Sequence, residues 1–521
     1  MSASREKKNR QDLAKQGVQD PKAIREAEEK AKQRKTNLLY GAIAAVFVVV
    51  AVVLLLVNSG VLYRDPDAVT IGGENYTAAQ VNYYYRGLET NIANAGYYGL
   101  DTSKPLDQQT LSDTAKLLLQ VTDEGDITWD AFLQDYAVKQ LSIRVMAAKE
   151  AEANGMGADD DIRAEVKADI DSLAASVKSQ GYTLKGYLKA AYGQGMTQSV
   201  FEDLLTMEEV ALHYMQHYQD SLTYTVDELE ADYQEHPSTF DVANYEYIYF
   251  KGSASSTTDA DGNTVEPTEE ETAAAKAAAS EAAAAALARY QNGETLLAIS
   301  KDYEELGTYG SVDAGSNNGS AMTNWVFDSA RTADEGAVVE DDPNSYVVVF
   351  HSAGREEYNT VDVRHILFMV DSSSLDKDSE TYDADLQALK DEAKAKAEDA
   401  LAQWQANGGT EDAFAALANE LSDDGGSNTN GGLYTQVTKG QMVTEFNDWC
   451  FDPARKAGDT GIVYNEGSYT GYHVMYFVGE DVPAWQAAVQ EHMVQEDYNA
   501  WADSLIEQGD AQMLDGMKNV G

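Results

Sequence analysis

Two seven-residue phrases set 124 positions apart narrow the architectures open to this chain. Trp325-Val326-Phe327-Asp328-Ser329-Ala330-Arg331 is echoed by Trp449-Cys450-Phe451-Asp452-Pro453-Ala454-Arg455. A strand-like run, Tyr245-Glu246-Tyr247-Ile248-Tyr249-Phe250, precedes the first phrase, and Val363-Arg364-His365-Ile366-Leu367-Phe368 precedes the second, at an offset of 118. Tyr346-Val347-Val348-Val349-Phe350 and Tyr472-His473-Val474-Met475-Tyr476 close the two copies at an offset of 126. Ordered matches at similar offsets read as an internal repeat. Each copy runs strand, Ala-rich helix, loop, Trp/Phe helix, strand, an alternation that predicts a small α+β domain. In this alignment Tyr247 stands where the second copy has His365, and Val347 where it has His473.

Leu38 to Val57 is a charge-free apolar run of twenty residues. At about 1.5 Å per residue that length spans a bilayer core of roughly 30 Å. A cleavable signal has a shorter apolar region and a small-residue cleavage site; Asn58-Ser59-Gly60-Val61 fits that poorly, and no lipobox cysteine follows. Residues 1–35 hold eleven Lys/Arg against six acids, which predicts a cytoplasmic N-terminus and an extracytoplasmic bulk. The chain as a whole has 38 basic and 88 acidic residues, a formal charge of −50, which disfavours nucleic acid as a partner. Its single cysteine, Cys450, excludes an intramolecular disulfide and a multi-Cys metal site.

From Thr77 to about Tyr233 apolar and tyrosine positions recur at helical spacing, as in Trp129, Phe132, Leu133, Tyr136, Ala137 and Leu141. The insert from Ser253 to Glu271 is polar, and its Asp259, Asp261 and Asn263 lack the glycine position of a calcium loop, so a solvated hairpin tip is expected. His213 and His217 are one helical turn apart near Glu208 and Glu209 without a zinc-protease pattern, and read as a helix face rather than a metal pair.

The second copy carries two histidines in apolar strands, His365 and His473, with Ser422-Asp423-Asp424, Gly431-Gly432 and Lys439-Gly440-Gln441-Met442 with Phe446 between them. This order resembles the parvulin family of peptidyl-prolyl cis/trans isomerases. The helical region, with Tyr187-Leu188-Lys189-Ala190-Ala191-Tyr192-Gly193, resembles the chaperone domain of the SurA and PrsA foldases. The resemblance implies a catalytic set of His365, Asp424, His473 and Thr470, with the imidazoles hydrogen-bonded to each other, and a substrate-binding set of Tyr434, Met442, Phe446 and Gln441. Met442 and Phe446 are four apart, so on a helix they share one face. Rotation about an Xaa-Pro bond breaks no bond of the skeleton, so neither cofactor nor metal is expected.

There are departures from the family pattern. Gly431-Gly432-Leu433-Tyr434-Thr435 stands for the usual Gly-Gly-Asp-Leu-Gly, and Val437 replaces an aromatic. Asp371, Asp376, Asp378 and Glu380 occupy the loop that is basic in phosphate-directed members, which argues against phospho-Ser/Thr-Pro selectivity. Cys450 sits beside Trp449 and is replaced by Val326 in the repeat, which favours a core role over a nucleophile.

The expected organisation is a basic tail over 1–35, a transmembrane helix over 36–58 and a helical chaperone domain over 59–240. A degenerate parvulin-like domain over 241–357 and a parvulin domain over 358–480 follow, and a helix over 481–521 returns to the chaperone domain. The expected function is that of a single-pass membrane-anchored foldase that isomerises Xaa-Pro bonds in unfolded exported polypeptides; a homodimer is left open. The competing reading is a non-catalytic holdase or membrane scaffold.

Overall fold

A computed structural model describes residues 65–123, 125–258, 263–467 and 469–521. The basic tail, the apolar run at 38–57 and the centre of the 253–271 insert lie outside the described residues. No helix among the described residues is long and apolar enough to cross a membrane. The chain divides into two compact units, one reaching Ser221 and completed by Tyr498–Gly521, the other Leu222–Asp497.

The first unit opens with a hairpin of β1 (Asp67–Ile71) and β2 (Glu74–Thr77). Its two-residue turn is Gly72-Gly73, both at positive φ, as a tight hairpin with the right twist requires. The helices α1 (Ala78–Ala95), α2 (Trp129–Ala153), α3 (Asp160–Ser179), α4 (Leu184–Tyr192) and α5 (Gln198–Ser221) follow. A capping box between Thr77 and Gln80 starts α1, and the Thr128 and Asp159 side chains cap α2 and α3. Leu133, Ala137, Leu141 and Val145 repeat every four residues along α2 and are buried in the core. The chain returns here: Met513 and Gln512 pair with Val69 and Thr70 of β1, and Leu505 is fully buried among Leu204, Val210 and Ala211. This helical unit is therefore discontinuous in sequence.

The second unit begins with α6 (Val226–Glu235), although the sequence reading assigned residues up to 240 to the helical domain. Leu229 of α6 is buried with Trp485 and Val489, and the Arg355 guanidinium lies over the Trp485 and Tyr233 rings while pairing with Glu230. These contacts hold residues 222–240 in this unit.

Two four-stranded antiparallel sheets follow. The first is built from β3 (Val242–Phe250), β4 (Gly307–Gly315), β5 (Glu335–Asp341) and β6 (Asn344–Gly354), with α7 (Glu269–Gln291) and α8 (Ala321–Val326) between strands. The second comprises β7 (Asn359–Met369), β8 (Leu433–Val437), β9 (Thr460–Glu466) and β10 (Thr470–Pro483), with α9 (Tyr382–Ala406), α10 (Glu411–Leu421) and α11 (Thr444–Cys450). Their strand orders are β4-β3-β6-β5 and β8-β7-β10-β9, the same plan twice. In each, an Ala-rich helix covers one face: α7 buries Ala279, Ala283 and Ala286, and α9 buries Ala393, Ala397 and Ala400. Small side chains at that spacing let helix and sheet approach closely.

The pairing corrects one correspondence of the repeat. A bulge interrupts β3–β6 between Tyr245↔Phe350 and Asn244↔Ser352, and β7–β10 between Val363↔Phe477 and Asp362↔Gly479. Superposing the bulges aligns Phe350 with Phe477, which puts Tyr346 rather than Val347 at the place of His473. The alternation of strand side chains decides the matter, because a slip of one residue reverses the face. Val347 is buried on the α7 face with Ala283, whereas Tyr346 packs on the opposite face with Tyr247 and Trp325. The first sheet thus carries Tyr247 and Tyr346 where the second carries His365 and His473.

A long helix, α12 (Ala484–Gly509), follows β10; its residues to Asp497 belong to the second unit and those from Tyr498 to the first. The insert after β3 is a short hairpin, Thr257–Thr258 pairing with Thr264–Val265.

Candidate active site

His365 lies in β7 and His473 in the neighbouring β10, where Leu367 is the Cα partner of His473 and Met475 that of His365. Both imidazoles project from the sheet face opposite α9. They are 4% and 2% exposed, and their Nδ1 atoms are 3.0 Å apart. Phe446 of α11 closes this face, with its ring edge-on to both imidazoles at 5.5 and 5.4 Å.

The acidic turn is stitched to β7 by its own side chains. Ser422 Oγ accepts the Leu367 N–H at 3.0 Å, and Asp423 Oδ2 accepts the Met369 N–H at 2.9 Å. Asp424 is thereby aimed at the imidazoles, and His365 Nε2 is 2.8 Å from its Oδ2. The Ser427 and Tyr434 hydroxyls donate to the same oxygen, and the Gly426 N–H donates to Oδ1. The chain then returns past β7 through Gly431-Gly432. Both glycines have positive φ, and a Cβ on Gly432 would stand 2.2 Å from the His365 carbonyl oxygen.

One arrangement of donors and acceptors satisfies these contacts. The Tyr469 hydroxyl, 3.0 Å from His473 Nε2, donates to it; His473 Nδ1–H donates to His365 Nδ1; His365 Nε2–H donates to Asp424. Burial pushes the His473 pKa down to about 3, which keeps this ring neutral. The hydrogen bond from His365 holds the Asp424 carboxyl well below the usual range, helped by the Ser427 and Gly426 donors. Burial and the neighbouring Asp424 raise the Tyr434 and Tyr469 phenols, so both remain donors.

A cavity of about 390 Å³ opens over this network. Met369, Leu367, Met442, Val443 and Phe446 form its apolar wall, and His365, His473, Asp424, Tyr434, Tyr469 and Gln441 its polar floor and rim. The site is a greasy cup of a size that admits a small ring, with a fixed carboxylate and a hydrogen-bonded imidazole pair at its base.

Seven of the eight residues expected from the sequence line this cavity: His365, Asp424, His473, Tyr434, Met442, Phe446 and Gln441. Met442 reaches it from the bend before α11 rather than from the helix, whose first residue is Thr444. Gln441 also caps its own turn, accepting the Thr438 N–H. Thr470 is the exception. Its carbonyl accepts the Val370 N–H, while the hydroxyl on His473 is that of Tyr469. Tyr469 lies in the bend just before β10, and from there its hydroxyl reaches His473 Nε2 at 3.0 Å. Ser427 joins the network without being among the expected residues, although its spacing of three from Asp424 is that of a local turn bond.

Cys450 is buried on α11, and burial pushes its thiol up to about 12, which fits a core residue and not a nucleophile. His213 lies 3.9 Å from Glu165 on the neighbouring α3, and the His217 ring rests against Tyr214.

The PPIC-type PPIASE domain family matches residues 347–478, the span that contains this cavity. None of the curated proteins matches the chain. Among solved structures, the peptidylprolyl isomerase PrsA of Bacillus anthracis is similar at 17% identity and a TM-score of 0.18, over 30% of this chain and 59% of that one. PrsA of Bacillus cereus is similar at 20% identity and a TM-score of 0.17, over 32% of this chain and 56% of that one. The chain thus spans less than two thirds of either length. PrsA of Bacillus subtilis is similar at 12% identity and a TM-score of 0.24, over 77% of this chain and 91% of that one. Likenesses at these scores support no residue-level correspondence.

Proposed function

We propose that this chain, which carries a PPIC-type peptidyl-prolyl isomerase domain of the parvulin kind, is a membrane-anchored foldase acting on exported, unfolded polypeptides. The observation that carries the reading is the buried Tyr469–His473–His365–Asp424 chain of hydrogen bonds at the base of an apolar cup.

The planar amide is protected by a barrier of about 18–20 kcal/mol that comes from resonance. That resonance places negative charge on the carbonyl oxygen. A fixed carboxylate beside the oxygen opposes it in the planar states and opposes it less in the twisted one. Only such a difference between ground and transition state accelerates rotation. Met442 and Phe446 would hold the pyrrolidine ring, and the two histidines act by fixing Asp424. Burial keeps His473 neutral at the inner end of this chain of hydrogen bonds.

The anchor is the apolar run at 38–57, and the basic tail before it favours a cytoplasmic N-terminus with the two units outside. The helical unit is assigned the holding of clients and the first sheet contact without catalysis, because tyrosines occupy its two histidine positions.

The test is the cis-to-trans relaxation of a proline-containing peptide in the presence of the full chain. Acceleration by the parent protein, lost in a folded His365→Ala/His473→Ala variant, is the expected result. Equal rates for the two proteins contradict the assignment.

A further inference from the structure

Three buried polar atoms without hydrogen-bond partners meet at one place in the second unit, away from the cup: Asp232 Oδ2, His236 Nδ1 and His492 Nδ1. Among the described residues only Ser142 Oγ and Arg331 Nε share that condition, so the grouping stands out. Buried polar atoms are otherwise paired, and an exception calls for a physical cause such as a bound ion.

The geometry indicates the cause. Asp232 lies in the last turn of α6 and His236 caps its end; His492 and Glu496 lie one turn apart on α12. Each segment therefore offers a carboxylate and an imidazole four residues apart, the spacing that sets two ligands on one helix face. His492 Nδ1 is 3.4 Å from Asp232 Oδ2, and His236 Nδ1 is 3.4 Å from Asp232 Oδ1. Glu496 Oε1 stands 3.6 Å from the other ring nitrogen, His492 Nε2, so its exposed side chain must swing toward Nδ1 to share one ion with Asp232. An N–H···O hydrogen bond would be about 2.9 Å. Two ligands each about 2.0–2.1 Å from a tetrahedral zinc ion stand about 3.4 Å apart. One ligand atom from each of Asp232, His492 and Glu496 lies within 4.8 Å of the other two.

We propose that Asp232 Oδ2, His492 Nδ1 and Glu496 bind a divalent transition-metal ion of the zinc class, and that His236 closes from 3.4 Å onto the second oxygen of Asp232 when the ion binds. One imidazole and two carboxylates form a nitrogen–oxygen ligand set that such ions accept. The Phe240 ring stands edge-on to His492 at 5.3 Å and shields one side. The Glu496 side chain is 60% exposed, which leaves the other side open for a water ligand. The ion ties α6 to the first half of α12, two segments far apart in sequence, and its binding free energy adds to the stability of this unit.

The experiment uses the full chain, stripped with a chelator and dialysed against zinc chloride, with bound zinc counted and thermal unfolding recorded. The Glu165–Glu209–His213 cluster also has the spacing to take up zinc added in solution, so the readout is the difference between proteins. An Asp232→Asn/His492→Gln variant is expected to bind one equivalent fewer than the parent and to lose the zinc-dependent rise in Tm. His236→Ala is expected to weaken that equivalent about 10-fold without abolishing it, as removal of a supporting partner does. Should the double variant fail to give a folded circular dichroism spectrum, Glu496→Gln carries the test, because its exposed side chain changes without disturbing the core; at least about 10-fold weaker binding is expected. Equal stoichiometry and affinity in parent and variant, or no zinc bound by the parent, overturns the site.

Discussion

The two four-stranded sheets of the second unit share a frame and differ in what they hold in it. Strand order, the bulge and the covering Ala-rich helix are the same, and so is the Arg over Trp contact, Arg331 on Trp325 and Arg455 on Trp449. At the matching strand positions the first sheet has Tyr247 and Tyr346 with ring centroids 6.2 Å apart, and the second has two imidazoles joined by a 3.0 Å contact. The connection into the second strand of each copy, an edge strand of its sheet, differs as well. The first copy runs Lys301-Asp302-Tyr303-Glu304-Glu305-Leu306 directly into β4, whereas the second inserts the turn that supplies Asp424 and Ser427 before β8. The lesson is that the frame is set by helix and sheet packing, and the chemistry by two strand residues plus one turn.

The strongest way to break this comparison is to remove each pair in turn. The His365→Ala/His473→Ala variant is expected to lose about 100-fold in kcat/KM for a proline peptide, the scale of a lost electrostatic arrangement. Tyr247→Ala/Tyr346→Ala is expected to retain the parent value. A comparable loss in both would merge the roles of the sheets. Asp424→Asn keeps the shape and removes the charge through which the histidines act; a comparable loss of about 100-fold, or ~2.7 kcal/mol, is expected in the same assay.

Acid sharpens the comparison through stability. His473 binds its proton in the unfolded chain near its ordinary 6.5 but in the fold only near 3, because it is buried. Between those values the unfolded state holds more protons, so stability falls as pH falls, by at most about 1.4 kcal/mol per pH unit. Above 6.5 the ring is neutral in both states and contributes no slope. Denaturant midpoints of the parent from pH 7 to pH 4 should show this slope, and a folded His473→Gln variant should show less of it. Asp424 acts in a lower range: its depressed pKa adds stability above the ordinary carboxylate value, and that stability is lost only as pH falls further, through the folded value.

Smaller effects resolve the edges of the site. Tyr434→Phe removes one donor to Asp424 and leaves the ring, so about a 5-fold loss of activity is expected from a hydrogen bond worth ~1 kcal/mol. Tyr469→Phe should lower activity by a similar or smaller factor, whereas Thr470→Val should leave it unchanged, since only the tyrosine hydroxyl meets His473. The reverse order of those last two would restore Thr470 to the network.

Much of this arrangement is legible in the amino-acid sequence. Offsets within the repeat disclosed two α+β units, since the same frame needs the same Trp, Phe, Asp and Arg at the same places. The cup is legible through the resemblance: His365, Asp424, Gly431-Gly432, Met442 with Phe446, and His473 follow the parvulin order, whereas each residue taken singly also reads as core or turn. What escaped was register. Offsets alone matched His473 to Val347, and only the bulge and the pleat identify Tyr346. Tyr469 escaped as well, because it lies in the bend just before β10. The boundary at Ser221 was not visible either, since it rests on the contacts of α6 with Trp485 and Val489.

The most direct test follows peptide and protein in one experiment. The full chain, labelled at its methionine methyl groups, is titrated with a proline peptide while cis/trans exchange of the peptide is read by NMR. Met442 lines the cup of the second sheet and Met322 packs on the same face of the first. The account predicts that the Met442 signal shifts and that exchange peaks appear together, with both lost in His365→Ala/His473→Ala. Exchange with Met442 unmoved, or exchange accompanied by a shift of Met322 alone, would contradict it.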